Sequence, residues 1–378
     1  MHIAIDAHSV GTQLGGNETY AVNLIEALAE IDQTNHYTLY VTKKSAVDRF
    51  ARRWPNFHVK QTLPHTPLVR IPLTLSRELR RRPVDVLHVQ YTAPPLAPCP
   101  VVVTIHDLSF EHLPETFKRR SRLQLRLTVR RTARQAAQII TDSEYSRQDI
   151  SKTYGIAADR IMVAHAAAPA RFSPVTIPTE LKKVRDNYGI KRDYILSLGS
   201  IQPRKNLVRL IEAYSLLRQS RPEVKLPQLV LAGKRGWLDN ETLKAAQRNI
   251  RDGDIVFTGY VAEQDLPALY SSAKCFVYPS YFEGFGLPIL EAMQCGVPVI
   301  AGDRTSIPEI VADAGLLFDP FDTNALVEAL QRLLDDDELS AALCAKGLAR
   351  AAQFSWRETA QLTLQAYQQA VARFRATH

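Results

Sequence analysis

This 378-residue chain has few of the features that predict disulfide bonds, zinc sites, membrane-spanning helices or signal peptides. Its four cysteines (Cys99, Cys275, Cys295 and Cys344) are scattered and form no Cys-x-x-Cys pair. That spacing predicts neither a disulfide framework nor a zinc site, and it fits a reducing cytoplasm. No apolar run reaches the roughly 18 residues that a membrane-spanning helix needs. The start, MHIAIDAHSV, lacks the basic segment and long apolar core of a signal peptide and predicts a strand instead.

The sequence also lacks a dinucleotide-binding signature and a metal-binding signature. The loop Gly15-Gly16-Asn17-Glu18 is not G-x-G-x-x-G, so it gives little support to dinucleotide binding. The acidic triplet Asp335-Asp336-Asp337 ends a helical pattern, LVEALQRLLDD, and no strand precedes it. We therefore expect a solvated helix end there and no metal site.

The order of apolar segments predicts two α/β domains. With 46% apolar residues, the chain is long enough for two full cores. HIAIDA, YTLYVT, VDVLHVQ, VVVTIHD, AQIITDS and RIMVAH form a first strand series, and a second series runs from YILSLGS to AGLLFDP. Helical or polar segments separate most strands, which is typical of doubly wound parallel sheets. We predict a first domain at 1–168, a proline-containing linker at 169–190, a second domain at 191–354 and a last helix at 355–378, opened by a Ser355/Glu358 capping box.

Positive charge is concentrated in the first half of the chain. Residues 1–180 contain 23 lysines and arginines against 16 acidic residues, an excess of 7, whereas residues 181–378 contain 24 against 23, an excess of 1. One helical segment places Arg122, Arg126, Arg130 and Arg134 at four-residue spacing. Two interpretations stay open: a solvated helix face, or a surface that attracts anionic lipid or a lipid-diphosphate acceptor. No nucleic-acid-binding motif accompanies the arginines, so no nucleic-acid partner is expected.

The stretch EGFGLPILEAMQCGVPVI places two carboxylates, Glu283 and Glu291, around a glycine-containing turn. The apolar run KCFVYPS before it predicts a buried strand, and Pro288 suits the first turn of a helix. The start of a helix offers unpaired N–H groups and the positive end of its dipole to an anion. A phosphate bound there leaves the two carboxylates to accept hydrogen bonds from hydroxyls. This chemistry suits a sugar joined to a nucleoside diphosphate.

An ordered set of motifs resembles a known family. TIHDLSF, LSLGSIQPRKNLVRLIEAY, LVLAGKRGW, VFTGYV and PSYFEGFGLPILEAMQCGVPVIA together resemble family 4 glycosyltransferases, which have the GT-B fold. The resemblance is to the mannosyltransferase-like branch that builds bacterial surface polysaccharides. It implies two Rossmann-like domains facing a cleft, with the donor bound by the second domain and the acceptor by the first. It also implies sugar transfer with retention of configuration and no bound metal, and a last helix that crosses back to the first domain.

The resemblance assigns roles to residues of the second domain. It implies that Glu283 contacts hydroxyls of the donor sugar, that Glu291 holds the ribose, and that Lys205 neutralises the diphosphate. Many relatives carry an arginine where this chain has Ser200, and Arg204 is the alternative source of a second cation. The remaining implied donor contacts are the turn at Gly284, Phe285, Gly286 and Leu287, the cation Lys234 with its neighbour Arg235, and the segment at Tyr260 and Val261 near the base.

Two positions of the first domain complete the expected site. The resemblance implies that His106, at the end of the strand VVVTI, faces the donor sugar, and that Gly16 approaches the donor phosphate. His106, Lys205 and Glu283 are the residues for which we expect a catalytic role. The alternative for His106 is a structural residue whose hydrogen bonds are satisfied. The alternative for Gly16 is a plain tight turn before a helix.

The sequence thus predicts a retaining hexosyltransferase that uses a nucleotide-sugar, with GDP-mannose as the favoured donor and no further cofactor. We expect a glycan or lipid-linked acceptor and a cytoplasmic location, peripheral to the inner face of the cell membrane. Two other functions stay open: a sugar-nucleotide epimerase of the same fold, which needs no acceptor, and a non-catalytic sugar-nucleotide binder.

Overall fold

The computed structural model describes residues 1–12, 15–234, 240–249 and 253–377. The chain forms two compact units. The first unit contains Met1–Ala166 together with Ser355–His378, and the second contains Ala167–Phe354. Among the described residues, no helix combines the length and the apolar character needed to cross a bilayer.

The described part of the first unit contains one sheet of seven parallel strands in the order β3-β2-β1-β4-β5-β6-β7. The strands are β1 (His2–Asp6), β2 (His36–Val41), β3 (Phe57–Gln61), β4 (Val86–Gln90), β5 (Val101–Thr104), β6 (Gln138–Thr141) and β7 (Ile161–Val163). The helices between them are α1 (Gly16–Ile31), α2 (Lys44–Phe50), α3 (Pro67–Val69), α4 (Ser76–Arg81), α5 (Ser109–His112), α6 (Arg119–Gln135) and α7 (Glu144–Tyr154). Parallel strands require such crossovers, and their burial on both faces explains the near-continuous apolar runs.

The second unit repeats this architecture with six described parallel strands in the order β10-β9-β8-β11-β12-β13. The strands are β8 (Tyr194–Leu198), β9 (Gln228–Ala232), β10 (Ile255–Gly259), β11 (Cys275–Tyr278), β12 (Val299–Gly302) and β13 (Gly315–Phe318). The helices are α8 (Pro178–Asn187), α9 (Leu207–Ser220), α10 (Asn240–Asn249), α11 (Leu266–Ser271), α12 (Leu287–Gln294), α13 (Ile307–Val311), α14 (Thr323–Asp335) and α15 (Asp337–Ala351). The predicted fold class, two doubly wound parallel sheets, is confirmed.

The last helix, α16 (Trp356–Thr377), packs against the first unit, as the sequence predicted. It contacts α1 and strands β4 to β6. The hydroxyl of Tyr367 lies 2.7 Å from Nδ1 of the buried His88 on β4. At the start of the helix, the Ser355 hydroxyl accepts a hydrogen bond from the N–H of Arg357 at 3.2 Å. The first unit is therefore completed by residues that follow the whole second unit in the chain.

The structure has one strand that the sequence did not predict, and it places a charged helix in 169–190 and a helix end at the acidic triplet. The edge strand β3 has no counterpart among the predicted strands, because its sequence FHVKQ is half-exposed and lacks an apolar run. The segment 169–190 contains helix α8, and Tyr188 after it donates a hydrogen bond to Asp265 at 2.8 Å. The acidic triplet lies at the junction of two helices, where Asp336 caps α15 by accepting from the N–H of Leu339 at 2.8 Å.

The ends of strands β8, β9 and β10 lie very close together. Gly199 donates its N–H to Ala232, and Gly233 donates to Gly259, both at 2.9 Å. Gly233 has a φ of +137°, and a Cβ atom there would lie 2.1 Å from the backbone oxygen of Gly199. Only glycine fits this approach, because its neighbour is backbone that is itself hydrogen-bonded.

We predict that Gly233→Ala lowers the free energy of unfolding by roughly 3 kcal/mol or more, since the added methyl group forces the two strand ends apart. Gly16→Ala is the control, because a Cβ at Gly16 has nothing within 4 Å. Urea unfolding followed by circular dichroism measures both variants. Equal midpoints for Gly233→Ala and the wild type would contradict the prediction.

Candidate active site

The centre of the candidate site in the second unit is a carboxylate shared by two cations. Glu283 follows β11, and Oε1 of its carboxylate accepts a hydrogen bond from Lys205 Nζ at 2.6 Å. Its Oε2 accepts from Arg204 Nη1 at 2.8 Å. The Lys205 ammonium also donates to the Tyr278 hydroxyl at 2.5 Å and lies 4.5 Å from the centre of that ring. The structure thus brings together Lys205, Glu283 and Arg204, which the sequence marked separately.

The local backbone explains why these side chains meet. Arg204 and Lys205 lie in a 3-10 turn, Pro203–Lys205, that ends at Asn206 in the left-handed conformation, with a φ of +55°. The amide of Asn206 donates to the carbonyl of Pro279 at 3.0 Å and to that of Pro320 at 2.8 Å. These bonds fix the turn against the ends of β11 and β13. Both cations therefore point at Glu283, in the segment that follows β11.

The charge state of Glu283 is set by its two partners. Its side chain is buried. Burial alone would raise the pKa of Glu283, but the charges of Arg204 and Lys205 lower that pKa to about 2. The carboxylate is therefore ionised across the physiological range and acts as a hydrogen-bond acceptor.

Glu291 has the opposite environment, although it lies only eight residues further along the chain. It is on α12, which begins after Gly286 in a positive-φ conformation and carries Pro288 in its first turn, as predicted. Its Oε2 accepts a hydrogen bond from the Tyr270 hydroxyl at 2.9 Å. Burial raises the pKa of Glu291 from 4.5 to about 7. At neutral pH this carboxyl is thus poised between its two charge states.

The other predicted donor residues lie along the same edge of the sheet. Lys234 follows β9, and its ammonium lies 4.7 Å from the ring centre of Tyr260, which is half-exposed after β10. Val261 beside it is buried. Ser200 is exposed after β8, next to Gly199. Arg235 lies outside the described residues.

The turn at Gly284, Phe285, Gly286 and Leu287 is fastened by two residues that the sequence did not mark. The Ser306 hydroxyl donates to the carbonyl of Glu283 at 2.9 Å and to that of Phe285 at 3.1 Å. The Thr305 hydroxyl accepts from the N–H of Glu283 at 3.0 Å. Both residues follow β12, the strand that pairs with β11. Polar residues after a strand adjacent to β11 are the sequence signal that could have identified them.

In the first unit, His106 follows β5 and is nearly buried. Its Nδ1 lies 2.5 Å from Asp142 Oδ2, and its Nε2 lies 3.2 Å from Gln90 Oε1. Burial lowers the pKa of His106, but the charge and hydrogen bond of Asp142 outweigh burial, and the pKa is raised overall. Asp107 instead accepts from the N–H and hydroxyl of Ser109 in α5.

Gly16 is the first residue of α1, and the next residue, Asn17, contacts a glutamine that also contacts His106. The carbonyl of Asn17 accepts a hydrogen bond from Gln90 Nε2 at 3.3 Å and another from the Ser9 hydroxyl at 3.2 Å. Gln90 thus contacts both His106 and the residue that follows Gly16. Gln90 and Asp142 were not among the residues marked from the sequence; their only signal was a polar residue at the end of a buried strand.

Comparisons with known proteins agree with this architecture. Residues 14–168 match the model of Glycosyltransferase Family 4, and residues 181–349 match that of glycosyl transferases group 1. The chain is 40% identical over 267 residues to O-antigen chain mannosyltransferase B of Escherichia coli, covering 70% of this chain and 69% of that protein. This chain belongs to the family 4 glycosyltransferases. The family resemblance identified from the sequence is therefore confirmed.

More distant relatives extend the comparison. This glycosyltransferase is 34% identical over 232 residues to serotype-specific mannosyltransferase WbdA of Escherichia coli, but it spans only 28% of the length of that protein. Sucrose-phosphate synthase from Thermosynechococcus elongatus has a TM-score of 0.77 at 22% identity, covering 98% of this chain and 99% of its own. Anabaena Alr3699/HepE in complex with UDP and glucose has a TM-score of 0.74 at 21% identity, covering 96% and 98%. These structures show that the fold is GT-B.

The two carboxylates lead to a prediction about stability in this glycosyltransferase. A carboxyl whose folded pKa is raised from 4.5 to about 7 costs stability as pH rises through that interval, and the cost is on the order of 3 kcal/mol. We expect Glu291→Gln to be more stable than the wild type at pH 8, with a difference that shrinks toward pH 5. Urea unfolding without ligand at both pH values measures this.

Glu283→Gln is the matched control, and the expected sign is opposite. A folded pKa of about 2 stabilises the protein above 4.5 and loses that stabilisation as pH falls toward 2. At pH 8, Glu283→Gln leaves two cations without their carboxylate and is expected to be less stable than the wild type. Shifts of the same sign in both variants would contradict the environments assigned to the two residues.

Proposed function

We propose that this glycosyltransferase moves a mannosyl residue from GDP-mannose to a glycan or lipid-linked acceptor, with retention of configuration and without a bound metal. The observation that carries the proposal is the buried carboxylate of Glu283 held between Lys205 and Arg204. The names of relatives support mannose, because O-antigen chain mannosyltransferase B and WbdA are both mannosyltransferases by name. The family resemblance supports retention.

The leaving group explains why two cations are needed. When the bond between the anomeric carbon and the phosphate oxygen breaks, the departing diphosphate gains negative charge. Lys205 and Arg204 are proposed to stabilise that charge, which replaces the role a metal plays elsewhere. Ser200, where many relatives carry arginine, would supply only a hydrogen bond. The amides at the start of α12 would add further donors toward the phosphates.

Recognition of the sugar and nucleotide is assigned to the acids. Glu283 is proposed to accept hydrogen bonds from the hydroxyls of mannose, and Glu291 from those of the ribose. The acceptor hydroxyl attacks on the face that the diphosphate leaves, and its proton passes to the departing phosphate oxygen. His106 and Gly16 of the first unit are proposed to contact the sugar and phosphate. Lys234, Tyr260 and Val261 are proposed to line the base.

A transfer assay tests this function directly. Purified chain is incubated with GDP-mannose and an α-mannoside acceptor in EDTA, and the anomeric proton of the product is observed by NMR. We expect an α-linked product and undiminished rates in EDTA. A β-linked product, or activity restored only by Mg²⁺ or Mn²⁺, would contradict the proposed mechanism. Conversion of the donor to an epimer without acceptor would favour the epimerase.

The variant Glu291→Gln tests whether Glu291 contributes to binding of the donor. At pH 8, where the Glu291 carboxyl is mostly ionised, loss of a charged acceptor costs about 1.5–3 kcal/mol, so affinity for GDP-mannose is expected to fall roughly tenfold or more. Lys225→Gln, an exposed residue of the same unit, is the control. Isothermal titration measures both, and unchanged affinity in Glu291→Gln would remove Glu291 from the site.

We further propose that the first unit docks on an anionic membrane, where a lipid-linked acceptor would be found. Helix α6 carries all four arginines of the stripe, and Arg126, Arg130 and Arg134 among them are exposed. The same helix exposes Leu123 to 59% and Leu127 to 65%, while Val129 packs into the core. Arginines beside exposed leucines are typical of helices that lie in a membrane interface.

Vesicle co-sedimentation tests the membrane proposal. We expect binding to anionic vesicles that weakens with salt, because each basic residue near the surface contributes about 1 kcal/mol that ions screen. Gln at Arg122, Arg126, Arg130 and Arg134 should reduce binding more than Gln at the exposed residues Lys182, Lys183, Lys225 and Lys274 of the second unit. Equal binding to neutral and anionic vesicles, or none at low salt, would leave the arginines as a solvated face.

A further inference from the structure

The hydrogen bonds around His106 define which of its ring nitrogens carry protons. Asp142 follows β6, the strand that pairs with β5, so its carboxylate and the imidazole meet at one edge of the sheet. The separation of Nδ1 from Asp142 Oδ2 is 2.5 Å. An ionised carboxylate only accepts hydrogen bonds, so Nδ1 carries a proton.

Gln90 faces the other nitrogen, and its amide has one acceptable orientation. Its Nε2 lies 3.3 Å from the carbonyl oxygen of Asn17, and a carbonyl only accepts hydrogen bonds. Rotating the amide by 180° would set its oxygen against that carbonyl and lose the bond. Gln90 Oε1 therefore faces His106 Nε2 at 3.2 Å. Because this oxygen is also an acceptor, Nε2 carries a proton too.

We propose that Gln90 and Asp142 are positioning residues that hold His106 as a doubly protonated imidazolium at the carboxyl edge of the first sheet. Each ring nitrogen is matched to an acceptor, and both acceptors belong to strands that flank β5. Gln90 further ties the imidazolium to the backbone of the first turn of α1, through the carbonyl of Asn17. One side chain therefore contacts both the histidine and the start of α1.

The charges that surround the ring are consistent with a cation. Asp142 and Asp107 both raise the pKa of His106 against the effect of burial. His88 on β4 is a nearby basic group, and burial lowers its pKa to about 3, so it is neutral. Tyr20 of α1 packs edge-on at 4.7 Å between ring centres, and burial raises its pKa, so it is also neutral. Tyr91 packs edge-on at 5.6 Å.

The charge state limits what His106 does in the proposed reaction. An imidazolium has no lone pair on nitrogen, so it does not act as a general base. It donates hydrogen bonds and adds positive charge where a diphosphate departs. This step rests on the proposed transfer function, whereas the protonation state itself does not. As pH rises through the pKa of His106, the imidazolium is lost, and the transfer rate should decline with it.

The experiment follows the ring nitrogens of ¹⁵N-labelled histidine by NMR as pH is varied, with His106 assigned by its loss in His106→Asn. In the wild type, both nitrogens should show the imidazolium signature at pH 6.5. Gln90→Leu removes one acceptor and should lower the midpoint by about one pH unit, while Gln90→Glu should raise it. A neutral ring at pH 6.5, or an unchanged midpoint in Gln90→Leu, would overturn the proposal.

Two controls distinguish a specific effect on His106 from a loss of folding. A further measurement keeps the protonation state apart from the proposed transfer function. Gln138→Leu changes a buried glutamine at the opposite end of β6 and should leave the His106 midpoint unchanged; a shift equal to that of Gln90→Leu would overturn the assignment. The signals of the surface residue His112 report on the fold of each variant. Where transfer is measurable, the alkaline limb of kcat should move with the NMR midpoint, and a limb that stays fixed would overturn the catalytic part. The NMR result stands whether or not GDP-mannose is the donor.

Discussion

Parallel pairing of the strands is the constraint on which the sites of this glycosyltransferase depend. Every described strand in a sheet ends at the same edge, so the residues after adjacent strands become neighbours although they lie far apart in sequence. Lys205 after β8 meets Glu283 after β11, because these strands are paired in the order β8-β11. His106 after β5 meets Asp142 after β6 for the same reason.

Burial then gives the acidic residues at these edges different properties. Glu283 stays ionised because two cations reach it, whereas Glu291 accepts a hydrogen bond from the Tyr270 hydroxyl and burial raises its pKa to about 7. The eight-residue spacing of the two acids does not determine this difference. It comes from the 3-10 turn that brings Arg204 and Lys205 to one acid and not to the other. One short segment of sequence thus carries two carboxyl groups with distinct charge states.

Much of this architecture could be predicted from the sequence, because buried parallel strands are continuous apolar runs with glycine, proline and polar residues at their ends. The doubly wound sheets and the start of α12 beside Pro288 follow from that pattern. The strand β3 could not, because an edge strand needs little apolar surface. The pairing of Gln90 with His106 could not either, because it depends on strand order, which local sequence does not encode. The exposed Leu123 and Leu127 escaped notice because a helical pattern alone does not say which apolar face is covered.

The same physical solution recurs in both units. At the end of β1, Arg70 lies 2.8 Å from one oxygen of the buried Asp6 and 2.9 Å from the other. Burial would raise the pKa of Asp6, but His8 and Arg70 lower that pKa to about 2. An ionised acid at a strand end is thus matched by a cation from a distant segment of the same unit, as Glu283 is by Lys205. Breaking such a pair leaves an uncompensated buried charge, which costs far more than the pair contributes. Glu291 differs, because no cation is bonded to it among the described residues and burial raises its pKa instead of leaving it low.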